Sequence, residues 1–210
     1  MMSAWKRLRV GLLAALLAAS FIGPAHAAIT TDGATFRDPG TGATGAMQLI
    51  TDTLLASPAT NITFTSIPGT YKHLEIVGSF RTDYSSAIDV LQAQLNGDAT
   101  ADYNRQELIV NNATISASAS TGTTALDLGA VPGAGTSVKK TAAITILWPD
   151  YASTTLTKSC TVANGYADAT AANSELRVVS NSWGLSSAIT SIKLFPANGT
   201  NFVAGTRATL

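Results

Sequence analysis

A single cysteine, Cys160, stands in 210 residues. No intramolecular disulfide can form, so the fold must stand on its core alone. Histidine is almost as scarce: there are two, His26 and His73. A His-rich metal site or a separated Cys/His pair would have to share one or two imidazoles. Charged residues make up only 12% and aromatics 7% of the chain, whereas 46% is hydrophobic. That balance excludes disorder along the whole length. Formal net charge is zero, but Lys6, Arg7 and Arg9 all precede the first acid, Asp32. The chain beyond residue 27 holds ten basic and thirteen acidic groups, a net charge of −3. Phosphate neutralisation cannot hold such a chain on nucleic acid.

The one long apolar run, Val10 to Ile22, follows those three cations and leads to Ala25-His26-Ala27. Positive region, apolar region and small-x-small site read as a secretory signal over residues 1–27, with Ala28 the first mature residue. The run is short for a bilayer-spanning helix, so no membrane association is expected after cleavage. Residues 28–46 are rich in Thr, Gly, Ala and Asp without apolar period, which predicts a linker or extended arm.

What is abundant is small and β-branched: 35 Ala, 29 Thr, 19 Ser and 17 Gly. These residues favour pleated sheet over helix. Period-two alternation is clearest in Leu74-Glu-Ile76-Val-Gly78-Ser-Phe80, in Leu91-Gln-Ala93-Gln-Leu95 and in Ala142-Ala-Ile144-Thr-Ile146-Leu-Trp148. Turn dipeptides fall between such runs, among them Pro68-Gly69, Asn96-Gly97, Pro132-Gly133, Asn164-Gly165 and Asn198-Gly199. About ten short strands without helical interludes predict an all-β fold, an antiparallel two-sheet jelly-roll sandwich over residues 47–210 behind the signal-type helix and linker. The alternation assigns Leu74, Ile76, Leu91, Leu95, Ile144, Ile146, Leu176, Val178, Ile192 and Leu194 to the core. The Ser/Thr/Ala segment from Ala113 to Thr124 reads as a low-complexity loop or a weak edge strand.

Catalytic motifs are thin. Gly40-Thr-Gly42-Ala-Thr-Gly45 spells a dinucleotide fingerprint, but Arg37-Asp38-Pro39 stands where a buried strand would have to lead in. Gly129 to Gly135 has phosphate-loop glycine density without a following Gly-Lys-Ser/Thr. Cys160 alternates with Val162 and reads as a small core residue; His73 reads as an ordinary strand histidine. The chain is therefore expected not to be an enzyme and to need no cofactor. Asn96, Asp98 and Asp102 are the one candidate set of oxygen ligands for Ca²⁺. Loops at strand ends, residues 81–86, 96–103 and 164–172, are the expected recognition elements. Within them Tyr84 and Tyr103 offer rings on which a sugar could stack, and Asp83, Asp98 and Asp102 offer acceptors for its hydroxyls.

The ordered segments Ile62 to Val77, Leu95-Asn-Gly-Asp98 with Tyr103-Asn104, Val131-Pro-Gly-Ala134, Trp148 to Thr155, Trp183 with Ser187 to Leu194, and Asn201 to Leu210 resemble tailed-bacteriophage virion proteins that carry a jelly-roll domain on tail fibres or the head surface. The resemblance spans about residues 55–210. It implies a structural role at the virion surface, in capsid decoration or host attachment, with phage capsid or tail proteins and host-surface polysaccharide as partners and a homotrimer as the assembly. The signal-type N-terminus supports a different expectation, a secreted or periplasmic bacterial sandwich serving as adhesin or carbohydrate-binding module.

Overall fold

A computed structural model describes Ala28–Ile29, Phe36–Arg37 and residues 47–210. The expected signal helix lies outside the described residues. The chain divides into two units, residues 1–49 and 50–210. In the first, β1 (Ala28–Ile29) pairs antiparallel with β2 (Phe36–Arg37), within the segment expected to be a linker.

The second unit is an all-β sandwich. Its strands are β3 (Asp52–Leu54), β4 (Ile62–Phe64), β5 (His73–Phe80), β6 (Ile88–Leu95), β7 (Tyr103–Asn111), β8 (Thr114–Thr123), β9 (Leu126–Pro132), β10 (Ala142–Pro149), β11 (Lys158–Tyr166), β12 (Glu175–Trp183), β13 (Ile192–Pro196) and β14 (Arg207–Thr209). Among the described residues the only helix is a single 3₁₀ turn, Ala171–Asn173, and none is long and apolar enough to cross a membrane. Eight strands form one antiparallel sheet in the order β3-β14-β5-β10-β11-β12-β7-β8, and four form the other, β4-β13-β6-β9.

Alternation drives the packing as the sequence implies. Every second residue of β6 (Asp89, Leu91, Ala93, Leu95) and of β10 (Ala142, Ile144, Ile146, Trp148) is buried, and the intervening ones are not. Leu74 and Ile76 of β5 meet Ile192 and Leu194 of β13 in the same core. Cys160 is buried there, and burial pushes its thiol up to about 12; a thiol so held is no nucleophile at neutral pH.

Two assignments need correction. Leu176 and Val178 face outward, 53% and 50% exposed, and the buried face of β12 is Glu175, Arg177, Val179, Asn181 and Trp183. Trp183 decides the register: burying the largest apolar side chain of the strand brings the charged alternates inward, where ion pairs receive them. Asn164-Gly165 is not a turn; it lies inside β11, which ends at Tyr166. Of the two readings of the Ala113–Thr124 segment, loop or weak edge strand, the second holds: β8 (Thr114–Thr123) is an edge strand paired with β7.

Candidate functional site

The residues singled out for binding do not meet. Asp83 and Tyr84 precede β6 and Asp98, Asp102 and Tyr103 follow it. Eight extended residues span about 26 Å, so the two groups sit at opposite ends of the sandwich. Tyr84 is half-buried in the loop before β6. Tyr103 is wholly buried, stacked on Trp183 with ring centroids 6.4 Å apart and an interplanar angle of 15°. Its hydroxyl accepts from the Leu95 N–H at 3.1 Å and donates to the Asp98 carbonyl at 3.0 Å. Burial pushes that phenol up to about 12. A ring enclosed in this way offers no face to a sugar, and the stacking role expected of Tyr103 is withdrawn.

Asp98 and Asp102 form a structural knot at that end. The Trp183 indole donates to Asp98 Oδ2 at 2.7 Å, the Thr100 N–H donates to Asp98 Oδ1 at 2.9 Å, and the Thr100 hydroxyl lies 2.7 Å from Asp102 Oδ2. Burial opposes ionisation of Asp98, but hydrogen bonds from Thr100 and Trp183 outweigh it and hold the carboxyl below its ordinary value. Asn96 does not join them. Its Oδ1 accepts from the N–H groups of Thr190 and Ser191, and its Nδ2 donates to the Ala188 carbonyl. Asn96, Asp98 and Asp102 thus form no calcium ligand set, and no cluster of three or more metal-binding side chains occurs among the described residues.

At the opposite end, four consecutive backbone N–H groups, from Asn198 to Asn201, donate to two carboxylates. Asp89 takes the first two and Asp83 the last two, at 2.8 to 3.1 Å. Both aspartates are thereby spent on shaping the loop.

Between the sheets lies a second polar cluster that alternation alone did not reveal. Arg177 donates to Glu175 and, at 3.0 Å, to Glu107; Arg105 lies 3.3 Å from Glu107 and pairs also with Asp127 of β9. Asn164 and Asn181 reach from the same sheet to backbone groups of Ala130 and Asp127. These contacts fasten β9 to β7, β11 and β12.

The surface that remains is the outer face of the eight-stranded sheet. Registers place Ile115, Val110, Leu176, Gly165 and Ala143 in one row across β8, β7, β12, β11 and β10. The next row holds Ala117, Leu108, Val178, Ala163, Thr145 and, on β5, Val77. No charged residue interrupts either row between β8 and β5, and Leu108 and Val77 are each 47% exposed. At one end, where Gly165 lacks a side chain, a shallow cavity of about 310 Å³ opens between Val110 and Leu176 and is closed by Asn112, Tyr166, Ser174 and Glu175. Large contiguous exposed apolar patches are associated with interaction surfaces, which makes these rows the candidate site. Sequence reading assigned its central residues, Leu176 and Val178, to the core; the competing signal was Trp183, whose parity with Glu175 and Arg177 opposes theirs.

No family model, no curated protein and no solved structure matches the chain.

Proposed function

We propose that the chain is a non-enzymatic structural and binding module of a tailed-phage virion, a jelly roll docked on a capsid or tail protein through the outer face of its eight-stranded sheet. The two uncharged rows of that face between β8 and β5, centred on half-exposed Leu176 and Val178, are the observation that carries the reading. Between β8 and β5 these rows carry no cation with which to hold phosphate or an anionic polysaccharide, and they suit a flat protein surface. The strand order supports the jelly roll. With β3, β14 and the β10–β11 hairpin set aside, the sheets run β5-β12-β7-β8 and β4-β13-β6-β9, and the chain crosses between sheets at every step from β4 to β7, again from β8 to β9 and from β12 to β13. Such an order supports reading the fold as a jelly-roll winding, in which the hairpin adds two strands to one sheet and enlarges its outer face. The resemblance of segments from Ile62 to Leu210 to jelly-roll proteins of phage heads and tail fibres supports the same reading.

The test is peptide mass spectrometry of purified particles of the phage that encodes the chain. Peptides from residues 50–210 at a fixed copy number per particle are expected. Recovery only from the culture supernatant would overturn the virion role and favour a secreted adhesin or carbohydrate-binding module.

A further inference from the structure

A strand at a sheet edge presents unpaired N–H and C=O groups, and natural sheets blunt such edges with shortness, charge, proline or cover. Three of the four edges in this sandwich are blunted. β3 and β4 are three residues long, and Asp52 of β3 carries an ion pair with Arg207. β9 ends in Pro132, and its Ala130 N–H and C=O are both taken by the Asn164 carboxamide, at 2.9 and 2.7 Å. β8 has none of these devices. It runs ten residues, Thr-Ile-Ser-Ala-Ser-Ala-Ser-Thr-Gly-Thr, with no charge and no proline, and no residue of it is buried. Its pairing with β7 is regular from Asn111↔Thr114 to Arg105↔Ser120, and only beyond that does the register shift.

We infer that the β8 edge is an interface between two copies of this chain, joined antiparallel about a twofold axis at Ser118. The sequence is suited to its own reverse. Ser116-Ala117-Ser118-Ala119-Ser120 reads identically in both directions, so antiparallel pairing centred on Ser118 sets serine opposite serine and alanine opposite alanine on matching faces. Uncharged residues bring no like-charge repulsion across the axis, and the isologous contact closes at two subunits. The two outer faces then lie on one side as a continuous surface. The inference rests on the edge geometry and not on the virion role, and its test uses purified protein without particles.

Sedimentation velocity of the full chain at micromolar concentration is expected to show a dimer. A117K/A119K places lysine opposite lysine twice across the axis and raises the dimer dissociation constant about tenfold or more. A117K/A119E alters the same two exposed positions but sets lysine opposite glutamate, and it keeps the dimer. Amide exchange within Thr114–Thr123 of the unaltered chain slows as concentration rises. A monomeric or trimeric unaltered chain, equal behaviour of the two double variants, or amide exchange in β8 that ignores concentration would each overturn the inference.

Discussion

The Asn164 side chain occupies the space that a Cβ on Gly129 would need: its Oδ1 lies 2.8 Å from that position. Gly129 also sits at φ +100°, where L side chains are strained. The carboxamide fits because the glycine yields, and it then pairs with both backbone polar groups of Ala130 across the sandwich. Gly129→Ala is therefore expected to destabilise by about 2–4 kcal/mol through combined clash and strain. Asn164→Ala should cost about 2–3 kcal/mol by leaving buried backbone groups unpaired. Urea unfolding of each variant at neutral pH measures both.

The Arg177 guanidinium stands between two buried carboxylates, Glu107 and Glu175. Removing the cation leaves two like charges in a desolvated place. Arg177→Ala should cost about 3–5 kcal/mol. A partial recovery is expected when Glu175→Gln is added, because Glu107 keeps Arg105 as its partner whereas Glu175 has lost Arg177. A double-mutant cycle followed by denaturant unfolding reads the coupling.

Tyr103→Phe keeps the stack on Trp183 but deletes the hydroxyl that joins Leu95 to Asp98. The Leu95 N–H loses its acceptor, and a loss of about 1–3 kcal/mol is expected. Tyr103→Ala should lower stability more, by about 3–5 kcal/mol, through the cavity it opens. Thermal unfolding separates the two.

Acid should loosen the loops before it breaks the sheets. Hydrogen bonds from Ser137, with a further one from Asn173, hold Asp168 at about 2, below its ordinary 3.8. At Asp83 burial works against ionisation, but hydrogen bonds from Asn201 and Thr200 prevail and lower it. At Asp52 the side-chain hydrogen bond from Arg207 does the same. In each case the unfolded chain takes up its proton first as pH falls, so stability is present above about 4 and lost progressively down to about 2. Chemical-shift titration of the N–H groups of Thr200, Asn201 and Ser137 across that window checks the sign; shifts confined to neutral pH would contradict it.

Much of this was legible in the sequence where one face of a strand is uniformly apolar. Leu91, Ala93 and Leu95, or Ile144, Ile146 and Trp148, admit one register only. β12 admits two, and hydropathy favours the wrong one, because the cost of burying Glu175 and Arg177 is offset by Glu107, a residue about seventy positions away. Asn164-Gly165 carries a turn signature for local reasons, yet its asparagine is needed in an extended strand by a partner, Ala130, on the other sheet. Tyr103 shows the same limit: loop-flanking aromatics are indistinguishable from stacking platforms until Trp183 is seen against the ring. Partners distant in sequence decided each case, and no local pattern encodes them.

Docking through the outer sheet face is tested most directly by one measurement. Leu176→Lys and Val178→Lys change half-exposed residues that support no core contact, so the double variant should keep the fold, with unfolding within about 1 kcal/mol of the unaltered chain. Particles assembled with it in place of the unaltered chain should carry at least tenfold fewer copies, counted by quantitative peptide mass spectrometry, because two lysines cannot be desolvated against a flat protein surface without cost of about 1–2 kcal/mol or more. Incorporation at the unaltered copy number, with the variant folded, would contradict the claim that this face is where the chain docks.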